Sequence, residues 1–186
     1  MENKCTESFA NTNLLDNENL RNTLIGRIDV LEKVKHLLLI PEMECMTIRQ
    51  VAEYYEVDFE SIRKCYSRNK EEIDLDGVSF ETPVNLKKIF NGTSCPIKDW
   101  EQKHGKLIVH IDDSTTIEIP NRGIKMFSKR AVLRIGMLLR DSVIAKEVRS
   151  QLLNIYEAAQ NKSPALVTKE IEAEENLLHW RWLKPT

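Results

Sequence analysis

Apolar residues recur at helical spacing through most of this chain, and between Thr47 and Arg68 they predict two short helices joined by a tight turn. Thr47 and Gln50 have the spacing of a capping box, so the first helix should start there. Asp58 is suited to capping the second helix, and the small Ala52 allows two helices to cross closely. This pattern is typical of a helix-turn-helix.

The two faces of the predicted motif differ in chemistry. The inner face is apolar and consists of Val51, Ala52, Tyr55, Val57, Ile62 and Cys65. Glu56 lies in the turn, where a left-handed backbone conformation often favours glycine. The outer face of the second helix carries donors suited to phosphate oxygens and base edges, namely Ser61, Arg63, Lys64, Ser67 and Arg68. These five are candidate DNA-binding residues, and the alternative is an ordinary helix pair with a solvated basic face.

Other elements are predicted on both sides of this motif. Leu20–Leu39 has the apolar spacing of one amphipathic helix that ends before Pro41, and it would supply the third helix that the motif needs. Asp76-Gly77 is a turn signal that opens either a wing or a small hairpin. Leu107–Ile111 and Thr115–Ile119 are rich in β-branched residues and predict a β-hairpin.

A pair of helices is predicted to follow the hairpin. Ser128 is suited to capping a helix that runs to Arg140, and Asp141-Ser142 to capping the next, which runs to about residue 160. Gly136 lies inside the first of them and indicates the close approach of another helix.

The predicted elements define a fold class and four segments. The fold class is α+β, mostly helical, with a helix-turn-helix followed by a β-hairpin and a packed helix pair. Residues 1–19 are expected to form a disordered arm, residues 20–80 a DNA-binding domain and residues 81–160 a hairpin and helix-pair domain. Residues 161–186 form a C-terminal tail with an acidic stretch and two tryptophans, Trp180 and Trp182.

Composition excludes several classes of function. The chain has 186 residues, of which 41% are hydrophobic and 30% charged, as in ordinary globular proteins. No apolar run approaches the roughly 20 residues of a membrane helix, and the polar N-terminus does not resemble a signal peptide, so we expect a cytoplasmic protein. The four cysteines and four histidines show no spacing typical of metal ligands, and no phosphate-binding loop or nucleophile motif is present. We therefore expect neither an enzyme nor a cofactor.

Charge is distributed unevenly along the chain. The net charge is −2, but residues 122–149 carry eight basic residues against Asp141 and Glu147, a local balance of +6. Phosphate binding depends on local charge, because attraction between exposed charges is screened within about 10 Å. Lys129, Arg130 and Arg134 are therefore candidate phosphate contacts, with a solvated helix face as the alternative.

The segment Phe127–Tyr156 resembles the end of the BRO/KilA-type N-terminal domains of phage antirepressors. Those domains contain a serine-capped helix, a short polar turn and a second helix, which Ala145-Lys146-Glu147-Val148-Arg149 and the preceding Leu-Arg-Asp-Ser turn match here. The layout is also similar to that of small phage-borne regulatory proteins of Gram-positive bacteria. The resemblance implies a phage or prophage regulator, located in the host-cell cytoplasm if phage-encoded.

Two functions are compatible with these features. The first is a transcriptional regulator, a repressor or antirepressor, that binds double-stranded DNA in a sequence-specific way and acts as a homodimer. The second is a protein–protein interaction module, an antirepressor or an inhibitor of a host defence protein, that binds a protein partner such as a repressor or host factor. The acidic ends and the two tail tryptophans favour the second function, since tryptophan is common at binding hot spots.

Overall fold

The computed structural model describes residues 14–40, 43–91, 99–110 and 116–160. The predicted C-terminal tail, most of the predicted N-terminal arm and the turn of the predicted hairpin lie outside these residues. Within them the fold is α+β and mostly helical, as predicted, with two small antiparallel sheets of three strands each.

The helices and strands alternate in blocks along the chain. The helices are α1 (Glu18–Leu24), α2 (Asp29–Val34), α3 (Ile48–Tyr54), α4 (Phe59–Arg68), α5 (Lys70–Leu75), α6 (Pro83–Asn91), α7 (Lys129–Leu138) and α8 (residues 143–160). The strands are β1 (Cys45–Thr47), β2 (Val78–Glu81), β3 (Asp99–Lys103), β4 (Lys106–His110), β5 (Thr116–Pro120) and β6 (Ile124–Ser128).

The first sheet, which we call the central sheet, brings distant parts of the chain together. Its order is β1–β6–β2, with Met46 opposite Phe127 and Phe80 opposite Lys125. One strand thus precedes the α3–α4 pair, and two strands of the same sheet follow it. The domain boundary expected between residues 80 and 81 falls inside this sheet, because β6 pairs with strands from both sides of the α3–α4 pair.

The second sheet, which we call the distal sheet, lies in the segment between β2 and β6. The predicted hairpin is confirmed, since β4 and β5 pair in antiparallel fashion with Ile108 opposite Glu118. The sequence pattern did not predict β3, which is mostly polar and pairs with the other edge of β4. Leu86 and Phe90 of α6 form a separate small core with Leu107 and Ile119 of this sheet. The wing or small hairpin expected after Gly77 is therefore replaced by a folded insertion.

The single helix expected over Leu20–Leu39 is wrong, because the structure has two short helices there. Residues 25–28, including Gly26, separate α1 from α2, and glycine inside a helix costs about 1 kcal/mol relative to alanine. The break allows Leu24, Val30 and Leu31 to be buried together in the main core. The chain after Val34 is extended at Lys35, so Leu38 lies half exposed instead of on a helical apolar face.

The main core joins the helix-turn-helix to α7. The Tyr55 hydroxyl donates to the Val132 carbonyl over 2.8 Å, and the ring lies against Gly136. A Cβ atom at Gly136 would approach Tyr55 Cζ to 2.9 Å, closer than side chains pack. The close approach predicted at this glycine is therefore confirmed, although the neighbour is a tyrosine ring at the end of α3.

Candidate nucleic-acid interface

The ends of the helix-turn-helix are fixed by the predicted caps. The Thr47 hydroxyl accepts from the Gln50 amide over 3.3 Å, and the Gln50 side chain accepts from the Thr47 amide over 2.9 Å, so α3 begins with a capping box. Asp58 caps α4 by accepting from the Glu60 amide over 3.1 Å. Local side-chain chemistry therefore sets the start of both helices.

The turn between the helices requires one residue in a left-handed conformation. That residue is Glu56, with φ of 52°. The next amide, from Val57, donates back to the Ala52 carbonyl over 3.0 Å and closes the turn. Glutamate in this conformation is strained because its Cβ crowds the backbone, at a cost of about 1 kcal/mol.

Glu56→Gly is expected to increase the free energy of unfolding by up to about 1 kcal/mol, since glycine adopts positive φ without strain. The lost ion pair with Lys35, 2.8 Å long and exposed, offsets little of this gain. Chemical denaturation measures the effect. Glu53→Gly, the same substitution one turn earlier on the exposed side of α3, is the control and should be destabilising by about 1 kcal/mol. Equal destabilisation by both substitutions would contradict the assignment of strain to Glu56.

The outer face of α4 presents the candidate donors to solvent. Arg63, Lys64, Ser67 and Arg68 are exposed, and Ser61 is half-buried, while Ile62 and Cys65 on the opposite face are buried. Arg63 pairs with Glu60 over 3.0 Å, but an exposed pair of this spacing is worth only about 0.3–0.5 kcal/mol and is easily exchanged. Within the part of the chain that the structure describes, no carboxylate pairs with Lys64 or Arg68. Both cations are thus available to a ligand.

Arg134 is not available to phosphate, contrary to the sequence-based expectation. Its side chain is 4% exposed and donates to Asp76 over 2.5 Å, to Glu72 over 2.7 Å and to Asn22 over 2.8 Å. Glu72 also accepts two bonds from Arg21 of α1, at 2.7 and 2.8 Å. This network (Arg21, Asn22, Glu72, Asp76 and Arg134) joins α1, the end of α5 and α7, and we call it the buried network because Arg21, Asp76 and Arg134 are buried, while Glu72 is half-buried and Asn22 exposed.

The other two cations expected to contact phosphate are also engaged within the fold. Lys129 lies in the first turn of α7, where its ammonium pairs with Glu44 over 3.0 Å. Arg130 keeps an exposed guanidinium but approaches Asp76 to 3.5 Å. Neither residue lies on α4, and each approaches a carboxylate, whereas Lys64 and Arg68 pair with none among the described residues.

The basic run over residues 122–149 therefore does not form one surface. Arg149 is buried and donates to the carbonyls of Gly136 and Leu139 over 2.9 and 2.6 Å, which satisfies acceptors at the end of α7. Its burial lowers the pKa of the guanidinium below the usual value. Two of the eight cations, Arg134 and Arg149, thus have structural roles that composition alone did not indicate.

Two exposed arginines beside α4 were not singled out from the sequence. Arg49 lies at the start of α3, with its guanidinium 5.7 Å from the ring centre of Phe59, and Arg122 lies between β5 and β6. Both line a groove of about 420 Å³ between the helix-turn-helix and the insertion. His104 in the β3–β4 turn lines the same groove, and the two turns are joined by a bond of 3.0 Å from the Asn121 amide to the Gly105 carbonyl. The sequence gives no signal for this cluster, because its members are far apart along the chain.

The inner side of α4 carries one buried thiol, that of Cys65. Burial raises the pKa of the Cys65 thiol to about 11, so the thiol is neutral at physiological pH.

No group of histidine, cysteine, aspartate or glutamate side chains in residues 14–40, 43–91, 99–110 and 116–160 is arranged to hold a metal ion. In the same ranges, no helix has the length and apolarity needed to cross a membrane.

No protein-family model matches the chain, and no curated protein or solved structure is significantly similar to it.

Proposed function

We propose that this protein is a sequence-specific DNA-binding regulator that reads duplex DNA with α4. The observation that carries the proposal is the outer face of α4, where Lys64 and Arg68 are exposed and have no carboxylate partner among the described residues. The face belongs to the second helix of a helix-turn-helix, the element that enters the major groove in DNA-binding proteins of this type.

The proposed docking places α4 in the major groove, which is about 12 Å wide and admits one helix. Ser61 and Arg63 in the first half of α4 then face base edges, and Lys64 and Arg68 face base edges or flanking phosphates. Glu60 holds the Arg63 guanidinium at 3.0 Å and also presents an acceptor to a cytosine amino group.

The cluster formed by Arg49, His104 and Arg122 lies beside the first residue of α4, in a groove that Glu118 also lines. Arg49 is the second residue of α3, and its contact with the ring of Phe59 places it next to the first residue of α4. Backbone contacts from such positions fix the register of a recognition helix without reading sequence. We therefore assign phosphate binding to Arg49 and Arg122 in place of Arg134.

The type of regulator is inferred from the resemblance of Phe127–Tyr156 to phage antirepressor domains. In the structure this segment contains the end of β6, the serine-capped α7 and most of α8. A phage or prophage repressor or antirepressor acting as a homodimer fits this resemblance and the general preference of such motifs for paired half-sites.

The test is fluorescence anisotropy of the full-length protein with mixed-sequence duplex DNA over a series of salt concentrations. Four to five phosphate contacts should give a slope of log affinity against log salt between about −3.6 and −4.5. Folded protein that does not bind duplex DNA at low salt would overturn the proposal.

The homodimer of this proposal needs an interface, and one candidate is an edge of the central sheet. Leu75 is 87% exposed, and Phe80 and Val84 are also exposed, all within or beside β2, which is an edge strand of the central sheet. Exposed apolar residues next to an unpaired strand edge are suited to pairing with a second copy of the chain. Light scattering of wild type and Leu75→Glu/Val84→Glu tests this candidate. A dimer lost in the variant would support it, and a monomeric wild type would exclude it.

A further inference from the structure

A groove of about 500 Å³ runs along one side of α4 and separates it from the end of α7. On the α4 side it is lined by Ser61, Lys64 and Arg68, which are also proposed DNA contacts. On the other side it is lined by Leu138, Leu139, Arg140 and Asp141. A ligand in this groove would therefore cover the same cations that DNA requires.

The groove combines positive charge with apolar contact area. Lys64, Arg68 and Arg140 face it against one acid, Asp141. The ion pair between Arg140 and Asp16 is 3.8 Å long and exposed on both sides, so it holds the guanidinium weakly. An acidic peptide with interspersed apolar residues is the chemical complement of such a surface.

The chain itself contains a segment with that chemistry. Residues 170–178 read EIEAEENLL, with four glutamates in the first six positions and three aliphatic residues, Ile171, Leu177 and Leu178. This segment lies outside the described residues, beyond the end of α8.

The tether, by which we mean residues 161–170 between α8 and the acidic segment, is long enough for that segment to reach the groove. The helix α8 begins just after Asp141, which lines the groove, and continues to residue 160. At 1.5 Å per residue its 18 residues, 143–160, carry the chain about 27 Å away. The ten residues from 161 to 170 span up to about 33–36 Å when extended, which is sufficient for the chain to return.

We propose that the acidic segment 170–175 docks in this groove and competes with DNA for Lys64 and Arg68. The docking contact does not depend on the proposed function. Its effect on DNA binding does rest on the proposed function. The protein would then bind DNA fully only when the tail is displaced.

The expected size of the effect follows from the tether. A short flexible linker gives an effective concentration on the order of 1 mM. If the segment binds the groove with a dissociation constant of about 0.1 mM, it occupies the groove about nine-tenths of the time and weakens DNA binding about tenfold.

The contact is tested on the full-length protein without DNA, with a water-soluble carbodiimide. This reagent joins a carboxylate to an amine in contact as an amide, and it takes up the water that is lost and leaves as a urea. The expected product is a monomer in which Lys64 is linked to Glu170, Glu172, Glu174 or Glu175, identified by mass spectrometry. Lys88, an exposed lysine on α6, is the internal control and should not be linked to the tail. Docking within one chain would be overturned if Lys64 were linked to the tail only in cross-linked dimers. It would also be overturned if Lys64 were linked to the tail no more often than Lys88.

The consequence is tested by neutralising the four tail glutamates to glutamine in the full-length protein. Anisotropy at low salt should show DNA binding about tenfold tighter than in wild type. A matched variant, Glu18→Gln/Glu101→Gln/Glu147→Gln/Glu157→Gln, changes net charge equally at exposed positions and should bind DNA like wild type. Equal affinities for all three proteins would overturn the competition. If Lys64 is cross-linked to the tail but the protein binds no DNA, the docking contact stands and the proposed function is rejected.

Discussion

Arg134→Ala is expected to lower the free energy of unfolding by about 3–5 kcal/mol, the cost of breaking a buried ion pair by removing one partner. Asp76 would remain buried without the guanidinium that now bonds to it at 2.5 Å, while Glu72 would lose one bond of 2.7 Å and keep its two bonds to Arg21. The side chain of Asp76 is only 3% exposed, so water does not replace the lost bonds.

The position of Arg134 in the fold explains why one side chain matters this much. It lies on α7 and bonds to residues of α1 and α5 as well as to the Asp76 carboxylate. A loss of this size is a large fraction of the roughly 5–15 kcal/mol by which globular proteins are stable. We therefore expect the variant to unfold at markedly lower denaturant concentration and temperature.

Urea denaturation followed by circular dichroism measures the effect, with Arg130→Ala as the matched control. Arg130 lies on the same helix and approaches the same Asp76, but at 3.5 Å and with an exposed side chain. Its removal should cost less than about 1 kcal/mol. Similar losses for the two variants would show that the buried network does not carry the stability assigned to it.

Arg63→Ala/Lys64→Ala/Arg68→Ala is expected to weaken binding to duplex DNA by roughly two to three orders of magnitude at low salt. A base-reading arginine contributes about 1–3 kcal/mol and each tenfold change in affinity corresponds to 1.4 kcal/mol, so three lost contacts account for about 3–4 kcal/mol. The slope of log affinity against log salt should also fall by up to about three units. The three side chains are exposed, so the fold should remain intact.

The control is Arg27→Ala/Lys88→Ala/Lys146→Ala, which removes the same charge from exposed positions outside α4. None of these residues lines the groove beside α4. This variant should lose less than tenfold in affinity, because distant charges are screened. If both triple variants lost the same affinity for DNA, the binding would be explained by nonspecific attraction between basic residues and DNA, and α4 would not be a reading surface.

The features that sequence predicted correctly are those set by neighbouring residues. The capping box of Thr47 and Gln50, the Asp58 cap and the left-handed turn at Glu56 depend on side chains within three positions of the backbone they affect. The β4–β5 hairpin is similarly local. These short-range patterns were enough to locate the helix-turn-helix.

The features that sequence did not predict depend on distant residues. The strand β6 is central only because β1 and β2 supply its partners from before and after the α3–α4 pair. Arg134 and Arg149 belong to a run that is rich in basic residues, as an exposed basic surface would be. In the structure, however, carboxylates and carbonyls from other elements accept bonds from them. Burial of a charge is a property of tertiary packing, so a local charge balance of +6 did not reveal it.

The measurement that tests the central claim most directly is the acetylation rate of each lysine with and without saturating duplex DNA at low salt. The variant with four neutralised tail glutamates is used, so that Lys64 is free before DNA is added. If α4 is the reading helix, DNA should slow acetylation of Lys64 strongly while exposed Lys88 and Lys33 react as before. Tight DNA binding that leaves Lys64 as reactive as in the free protein would contradict the claim.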